Sequence, residues 1–187
     1  MIARLALRSM KQAKYTPENE GHFGLATAYY THCTSPSRRY PDLQIHRVIK
    51  EHLRGKMTEA KIRHYAEILE EVAGQSSAME RRAEEVERET VKMKKAEFMK
   101  QHIGEVMEGT ILGVTEWGLY VELPNTVEGL VHVNSMRDDY YTYEKEKYRF
   151  VGDMTKKVYS MGQKVKVRVE QADIATKTVD FSLERED

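Results

Sequence analysis

Residues 109–121 read Gly-Thr-Ile-Leu-Gly-Val-Thr-Glu-Trp-Gly-Leu-Tyr-Val, and around them the chain changes from helical to strand-like periodicity. β-branched residues alternate with glycine here, which is typical of short strands joined by tight turns. The strand-like runs cover 106–114, 118–124, 127–133, 164–169 and 178–183. Five short strands in about 80 residues predict a small closed β-barrel. Residues 134–161 are polar and tyrosine-rich, and we interpret them as a long insertion into this barrel.

The first half of the chain has helical spacing of its apolar residues. This spacing predicts one helix over residues 2–13 and another that begins at Pro41 and ends near Gly55. Residues 22–33 are aromatic and small, a composition that fits a strand or a buried loop, and we favour the strand.

The chain after Thr58 also predicts helix. We expect Gly74 to interrupt it and a new, long helix to begin at Ser77, because Ser77 and Glu80 have the spacing of a capping box. Beyond this point the apolar positions form a narrow stripe on an otherwise charged helix, which indicates that the helix packs on a neighbouring element along one edge.

Composition restricts the class of protein. With 187 residues, 32% charged and 40% hydrophobic, the chain fits a soluble protein of two small domains. It has no apolar run of about 18 residues, so we expect no membrane partner. A single cysteine, Cys33, fits a reducing, cytoplasmic compartment. Net charge is zero, but residues 1–57 carry ten Lys or Arg against four acids, a distribution typical of phosphate contacts.

Two adjacent arginines, Arg38 and Arg39, stand between two prolines in the stretch Thr-Ser-Pro-Ser-Arg-Arg-Tyr-Pro-Asp, residues 34–42. Paired guanidinium groups on a stiff bend beside a helix N-terminus would bind phosphate well. In the alternative interpretation one arginine pairs with Asp42 and the other is solvated. The local chemistry leaves both interpretations open.

In the barrel, Trp117 and Tyr120 lie three residues apart across a glycine, and His132 follows on the next strand. Exposed aromatic faces bind unpaired bases by stacking. The alternative places both rings in the barrel core. We favour stacking, because Leu119 and Val121 alternate with the rings and can fill the core.

Residues 109–121, followed by Glu-Gly-Leu-Val-His-Val-Asn-Ser at 128–135, resemble the OB-fold RNA-binding domain named after the largest ribosomal small-subunit protein. The resemblance covers residues 104–187. It implies that Trp117, Tyr120 and His132 form an RNA-binding face, to which Asp173 and Lys177 contribute an acid and a base.

The N-terminal half resembles the C-terminal part of the catalytic (RNB) domain of the ribonuclease R and ribonuclease II exoribonucleases, and ribonuclease R more closely. The matching motifs occur in order at residues 8–13, 22–26, 30–32, 34–36, 38–42, 46–47 and 79–83. Cys33 and Ser37 depart from the family pattern. The resemblance implies an α+β chain, with the mainly helical end of an RNB domain at 1–103 and a five-stranded OB-fold barrel at 104–187.

This family hydrolyses RNA processively from the 3′ end to nucleoside monophosphates, using magnesium ions held by clustered aspartates. The resemblance implies that Arg38 is the catalytic arginine, which neutralises charge on the phosphoryl oxygens, and that Glu80 secures the terminal nucleotide. We expect Arg39, Tyr40 and His46 to contact RNA as well. Glu80 could equally be only the capping partner of Ser77.

The sequence lacks the aspartate cluster that this chemistry needs, and no His/Cys set has zinc spacing. We therefore expect a fragment that binds RNA without hydrolysing it. The Mg²⁺ ligands and the N-terminal part of the catalytic domain would then lie outside this chain. The alternatives are a free-standing single-stranded RNA-binding module and a helical adaptor protein that carries an OB barrel.

Overall fold

The computed structural model describes residue 6 and residues 9–184. Contacts divide the chain into two compact units, one over residues 10–86 and the other containing residues 87–184. The helices are α1 (Tyr40–Leu53) and α2 (Glu59–Met99), and the strands are β1 (Val106–Thr115), β2 (Gly118–Glu122), β3 (Glu128–His132), β4 (Tyr141–Glu144), β5 (Arg149–Gly152), β6 (Val158–Ser160), β7 (Lys164–Asp173) and β8 (Thr178–Leu183). This α+β composition confirms the predicted class.

Helix α1 confirms the helix predicted from Pro41. Its first turn holds Pro41, whose fixed φ suits that position and whose missing N–H leaves no intrahelical bond unmade. It ends before Gly55, which has a φ of +67° and donates its N–H to the His52 carbonyl (2.9 Å). A left-handed glycine after the last turn is the usual way to end a helix.

Helix α2 is continuous, so the predictions that Gly74 interrupts it and that Ser77 begins a new helix are wrong. An interior glycine costs only about 1 kcal/mol relative to alanine, and the good helix formers on both sides outweigh that cost. Ser77 lies in the middle of the helix and is buried, and its hydroxyl donates to the Ala73 carbonyl (2.8 Å). Glu80 is therefore not the partner of an N-cap serine.

The chain before α1 differs from the prediction in two places. Half of the predicted helix over 2–13 lies outside the described residues, and residues 11–16 are irregular. The strand predicted over 22–33 is wrong, because Phe23–Leu25 forms a 3₁₀ turn closed by the His22–Thr27 bridge. Ala26 takes a left-handed conformation (φ +50°), which turns the backbone out of an extended path.

Strands β1, β2, β3, β8 and β7 close into a barrel in that order, which confirms the predicted five-stranded barrel. Its core consists mainly of aliphatic residues, together with Phe150, Tyr159 and Phe181. β3 and β8 are parallel and the other barrel pairs are antiparallel. Ala96 and Met99, from the last turns of α2, are fully buried in the same core. The barrel unit therefore includes the end of α2, and the domain assignment 1–103 and 104–187 remains a prediction.

The insertion at 134–161 contains a small antiparallel sheet in the order β4-β5-β6. Phe150 and Tyr159 are buried in the barrel core, and the Tyr143 hydroxyl donates to the Val114 carbonyl (3.2 Å). Hydrogen bonds from Thr155 hold the pKa of Asp139 at about 2, because they favour its charged form. The insertion is therefore folded, and it packs against the end of β1.

Candidate nucleic-acid interface

An open groove of about 590 Å³ lies in the unit of residues 10–86. Its walls come from the segment before α1, the first turn of α1 and the middle of α2. The lining residues are Tyr15, Arg38, Arg39, Tyr40, Pro41, Gln75, Ser76, Met79, Glu80 and Ala83. The groove therefore brings Glu80, which is distant in sequence, together with the consecutive residues 38–40, and the family resemblance had indicated all four.

Asp42 fixes the bend that carries the two arginines. Its side chain is fully buried, and Oδ2 accepts hydrogen bonds from the Ser35 N–H (2.8 Å) and from Nη2 (2.8 Å) and Nε (3.1 Å) of Arg39. Burial alone raises the pKa of Asp42, but the Ser35 N–H and the Arg39 guanidinium outweigh it, so the pKa lies below its ordinary value. A charged, buried Asp42 thus holds Arg39 and the start of the bend in one geometry.

The two arginines differ in their surroundings. Arg39 is committed to Asp42 and also donates to the Thr34 hydroxyl (3.2 Å). Arg38 is exposed, and among the described residues its guanidinium has no ion-pair partner. The pairing interpretation is thus correct for Arg39, while Arg38 keeps the donors that a phosphate clamp requires. A role of either arginine in RNA binding remains a prediction.

Tyr40 and His46 occupy different positions. Tyr40 is half exposed in the groove, and the Arg47 guanidinium lies 5.9 Å from the centre of its ring. His46 does not line the groove, and its Nε2 donates to the Cys33 carbonyl (2.7 Å). The structure therefore gives His46 a local contact with the Cys33 backbone and does not place it among the predicted RNA-binding residues of the groove.

Glu80 lies in the groove together with Tyr15, a residue that sequence reasoning did not select. The Tyr15 N–H donates to the Ser77 hydroxyl (2.9 Å), one turn of α2 before Glu80. Burial raises the pKa of Tyr15, and the negative charge of Glu80 raises it further. No periodicity or motif spacing identifies Tyr15, since only a contact over 62 sequence positions brings it here.

On the barrel, Trp117, Tyr120 and His132 lie together on the outside. Trp117 is 61% exposed and Tyr120 is 40% exposed, so neither ring belongs to the core. Gly118 pairs with His132 across β2 and β3, which places the imidazole beside the turn that carries Trp117. The His132 Nδ1 accepts the Asn134 N–H (3.1 Å), so its Nε2 is the nitrogen left to meet a ligand.

This arrangement requires glycine at position 118. Gly118 has a φ of +150°, and a Cβ atom there would lie 2.0 Å from the Val131 carbonyl oxygen. The close approach of β2 to β3 is possible only without a side chain. Glycine is thus required between the two aromatic residues for a steric reason.

Asp173 and Lys177 lie elsewhere on the barrel. The Asp173 carboxylate accepts the N–H groups of Ala175 (2.7 Å) and Thr176 (3.3 Å), which lower its pKa and stabilise the β7–β8 turn. Lys177 forms an ion pair with Glu89 of α2 (2.7 Å).

The strand register gives the separation of this turn from the aromatic residues. Leu130 lies opposite Asp180 in the parallel β3–β8 pair. At about 3.3 Å per residue, Lys177 is therefore roughly 16 Å along the barrel from the level of His132. The structure does not bring the two predicted charged residues into contact with the aromatic face.

Two observations concern absences within the described residues. No three His, Cys, Asp or Glu side chains of residues 6 and 9–184 come together as a metal ion would need, so these residues do not by themselves fit Mg²⁺. In the same part of the chain, no helix is both long enough and apolar enough to cross a membrane.

Comparison with known proteins gives consistent matches. The RNB domain model matches residues 1–55, and the S1 RNA-binding domain model matches residues 100–184. Ribonuclease R 1 of Lactococcus lactis is 46% identical over 97% of this chain, which covers 22% of that relative. Ribonuclease R of Thermotoga maritima is 42% identical over 100% of this chain and 26% of the relative. The chain thus spans about a quarter of the length of the curated relatives it matches.

A solved structure gives a match of the same extent. The apo form of Mycoplasma genitalium RNase R superposes with a TM-score of 0.85 and 29% identity, over 97% of this chain and 29% of that one. The same protein in complex with ribose-methylated single-stranded RNA gives the same values.

Proposed function

The chain is homologous over almost its whole length to the C-terminal portion of ribonuclease R, and we propose that it binds single-stranded RNA as that portion of a processive 3′→5′ exoribonuclease. The S1 RNA-binding domain supports RNA as the partner. A reducing, cytoplasmic setting belongs to the same proposal, since Cys33 is the only cysteine.

The observation that carries the proposal is the position of Arg38. Its guanidinium is exposed in a groove that Glu80 also lines, on a bend held rigid by the Arg39–Asp42 ion pair. In an RNA complex Arg38 donates to phosphate oxygens and stabilises the negative charge that grows on them during hydrolysis. Glu80 repels phosphate and accepts hydrogen bonds from sugar or base donors.

Magnesium ions would supply the Lewis acid and the activated water for this reaction. The described residues contain no ligand set for them, so the hydrolytic step does not follow from this chain's own residues. We propose that the ligands come from the RNB portion that the longer relatives have and that this chain does not match.

A second candidate function is RNA binding without cleavage. It is favoured by the same observation, that no metal-ligand cluster forms among residues 6 and 9–184. Both candidates give the isolated chain the same property, binding without hydrolysis.

Binding is tested by fluorescence anisotropy with a labelled single-stranded oligoribonucleotide. We expect Arg38→Ala to weaken binding by about tenfold, because a hydrogen-bonded charged contact is worth roughly 1.5 kcal/mol or more. Arg54→Ala, at an exposed arginine after the end of α1, is the matched control and should bind as the unaltered chain does. Affinity should also fall steeply with salt, because bound RNA phosphates release counterions. Equal affinities of the two variants, or a flat salt response, would contradict the proposal.

Hydrolysis is tested in a chimera. This chain replaces the corresponding segment of the Lactococcus lactis relative, and a 5′-labelled RNA is incubated with Mg²⁺. Stepwise shortening that Arg38→Ala abolishes would support the exoribonuclease. Retained RNA binding by a folded chimera without any shortening would favour the binding module.

A further inference from the structure

Tyr15 lies in the groove beside Glu80, and nothing in the sequence pattern gives it a function. We propose that Tyr15 is a positioning residue, whose hydroxyl holds the Glu80 carboxylate so that it accepts a hydrogen bond from a ribose hydroxyl. The groove would then favour a ribonucleotide strand over a deoxyribonucleotide strand. This inference rests on the proposed binding of RNA in the groove.

The backbone of Tyr15 is fixed to the same face of α2 that carries Glu80. Its N–H donates to the hydroxyl of Ser77, and that hydroxyl in turn donates to the Ala73 carbonyl. Ser77 is buried, so this connection is shielded from water. Residues three apart on a helix have neighbouring side chains, with Cβ atoms about 5–6 Å apart. A residue bonded to Ser77 is therefore held next to Glu80.

The ring of Tyr15 is held from a second side by His32. The two ring centres lie 6.5 Å apart in an edge-to-face arrangement. Burial and the Glu80 charge both raise the pKa of Tyr15, so its hydroxyl remains protonated at neutral pH and can donate to the carboxylate. Arg39 and Asp42 also face the phenol, and they oppose one another, since Arg39 lowers its pKa and Asp42 raises it.

The opposite charges of Arg38 and Glu80 favour different parts of a bound nucleotide on the two sides of the groove. The exposed guanidinium of Arg38 attracts phosphate, whereas Glu80 repels it, so a bound strand places a sugar or base on the Glu80 side. A carboxylate is an acceptor with two oxygens. When the Tyr15 hydroxyl occupies one oxygen, the other stays directed at the ligand. A ribose 2′-hydroxyl offers the donor that deoxyribose lacks.

The first test compares an oligoribonucleotide with the DNA strand of the same sequence by fluorescence anisotropy. Tyr15→Phe keeps the ring and the backbone N–H and removes only the hydroxyl. We expect it to weaken RNA binding by about three- to tenfold and to leave DNA binding unchanged, as expected for the loss of one hydrogen bond. Tyr29→Phe, at an exposed tyrosine outside the groove, should change neither affinity. An unchanged RNA affinity for Tyr15→Phe, or an equal loss for RNA and DNA, would overturn the inference.

The second test requires no nucleic acid. The chain contains eleven tyrosines, and ¹³Cζ-tyrosine labelling follows the titration of each by NMR, with the Tyr15 signal assigned by its loss in Tyr15→Phe. Glu80→Gln should lower the pKa of Tyr15, because it removes a facing negative charge. An unchanged Tyr15 titration would overturn the positioning contact. If instead the unaltered chain binds no RNA, the proposed function fails and the ribose preference fails with it, while the titration still decides whether Tyr15 contacts Glu80.

Discussion

Trp117→Ala removes the most exposed ring of the barrel's aromatic face. The indole is 61% exposed and lies outside the barrel core, so its loss leaves no cavity. We expect the free energy of unfolding to change by less than about 0.5 kcal/mol, as for other surface substitutions. Stacking of one base on an aromatic ring is worth about 1–3 kcal/mol, which corresponds to a roughly 5- to 150-fold loss of affinity for single-stranded RNA.

The assay is anisotropy titration of a labelled oligoribonucleotide at one fixed salt concentration, with urea unfolding of each variant measured in parallel. Tyr140→Ala is the matched control, because Tyr140 is an aromatic residue of the same unit, is 80% exposed and follows the predicted face in sequence. Tyr120→Ala should cost less affinity than Trp117→Ala, since only 40% of Tyr120 is exposed.

Two results would refute the reasoning about Trp117. One is an RNA affinity for Trp117→Ala within twofold of the unaltered chain while both unfold alike. The other is an equal loss for Tyr140→Ala, which would mean that any exposed ring on this unit contributes and that the face defined by Trp117, Tyr120 and His132 is not the binding surface.

Two glycines and one ion pair give further predictions. Gly118→Ala should destabilise the chain by about 2–3 kcal/mol in urea unfolding, because its Cβ would collide with the Val131 carbonyl. Gly74→Ala should stabilise it by about 0.5–1 kcal/mol, since nothing lies within 4 Å of the added Cβ in the interior of α2; destabilisation would indicate an unseen contact. The Lys177 ammonium, and then Lys92, lower the pKa of Glu89 from 4.5 to about 2, so its ion pair stabilises the fold above pH 4.5 and is lost as the pH falls toward 2. The melting temperature of Glu89→Gln, measured at a series of pH values, should therefore fall less over that range than the melting temperature of the unaltered chain. Equal falls for the two proteins would exclude a contribution from the ion pair.

The barrel could be predicted because its signals are local. Alternation in β2 and the glycines around it mark strands and turns whatever the rest of the chain does. The sheet at 141–160 was not predicted from the sequence, because its strands are only three or four residues long and each contains too few residues to show an alternating pattern. Strands this short are selected by packing on the barrel and leave little periodicity.

The helical half gave a different result. α1 was predictable from Pro41 and Gly55, which set its ends by backbone geometry alone. Gly74 and Ser77 suggested a break inside α2 because both resemble helix-terminal residues in isolation. Packing of the surrounding helix overrides such weak propensities, and the buried Ser77 hydroxyl instead bonds to Ala73 and Tyr15. A sequence pattern carries no information about such a tertiary contact.

The groove shows why the sequence could indicate candidate binding residues, whereas the different surroundings of Arg38 and Arg39 could not be predicted from it. Arg38 and Arg39 are chemically identical neighbours, and either could have paired with Asp42. The structure separates them because Asp42 is fully buried, and an unpaired buried carboxylate would be costly, so one guanidinium must be committed to it. Arg39 provides that partner, so Arg38 stays exposed and has no ion-pair partner among residues 6 and 9–184. Substituting Arg39 would therefore weaken ligand binding by loosening Arg38, whether or not Arg39 itself touches RNA.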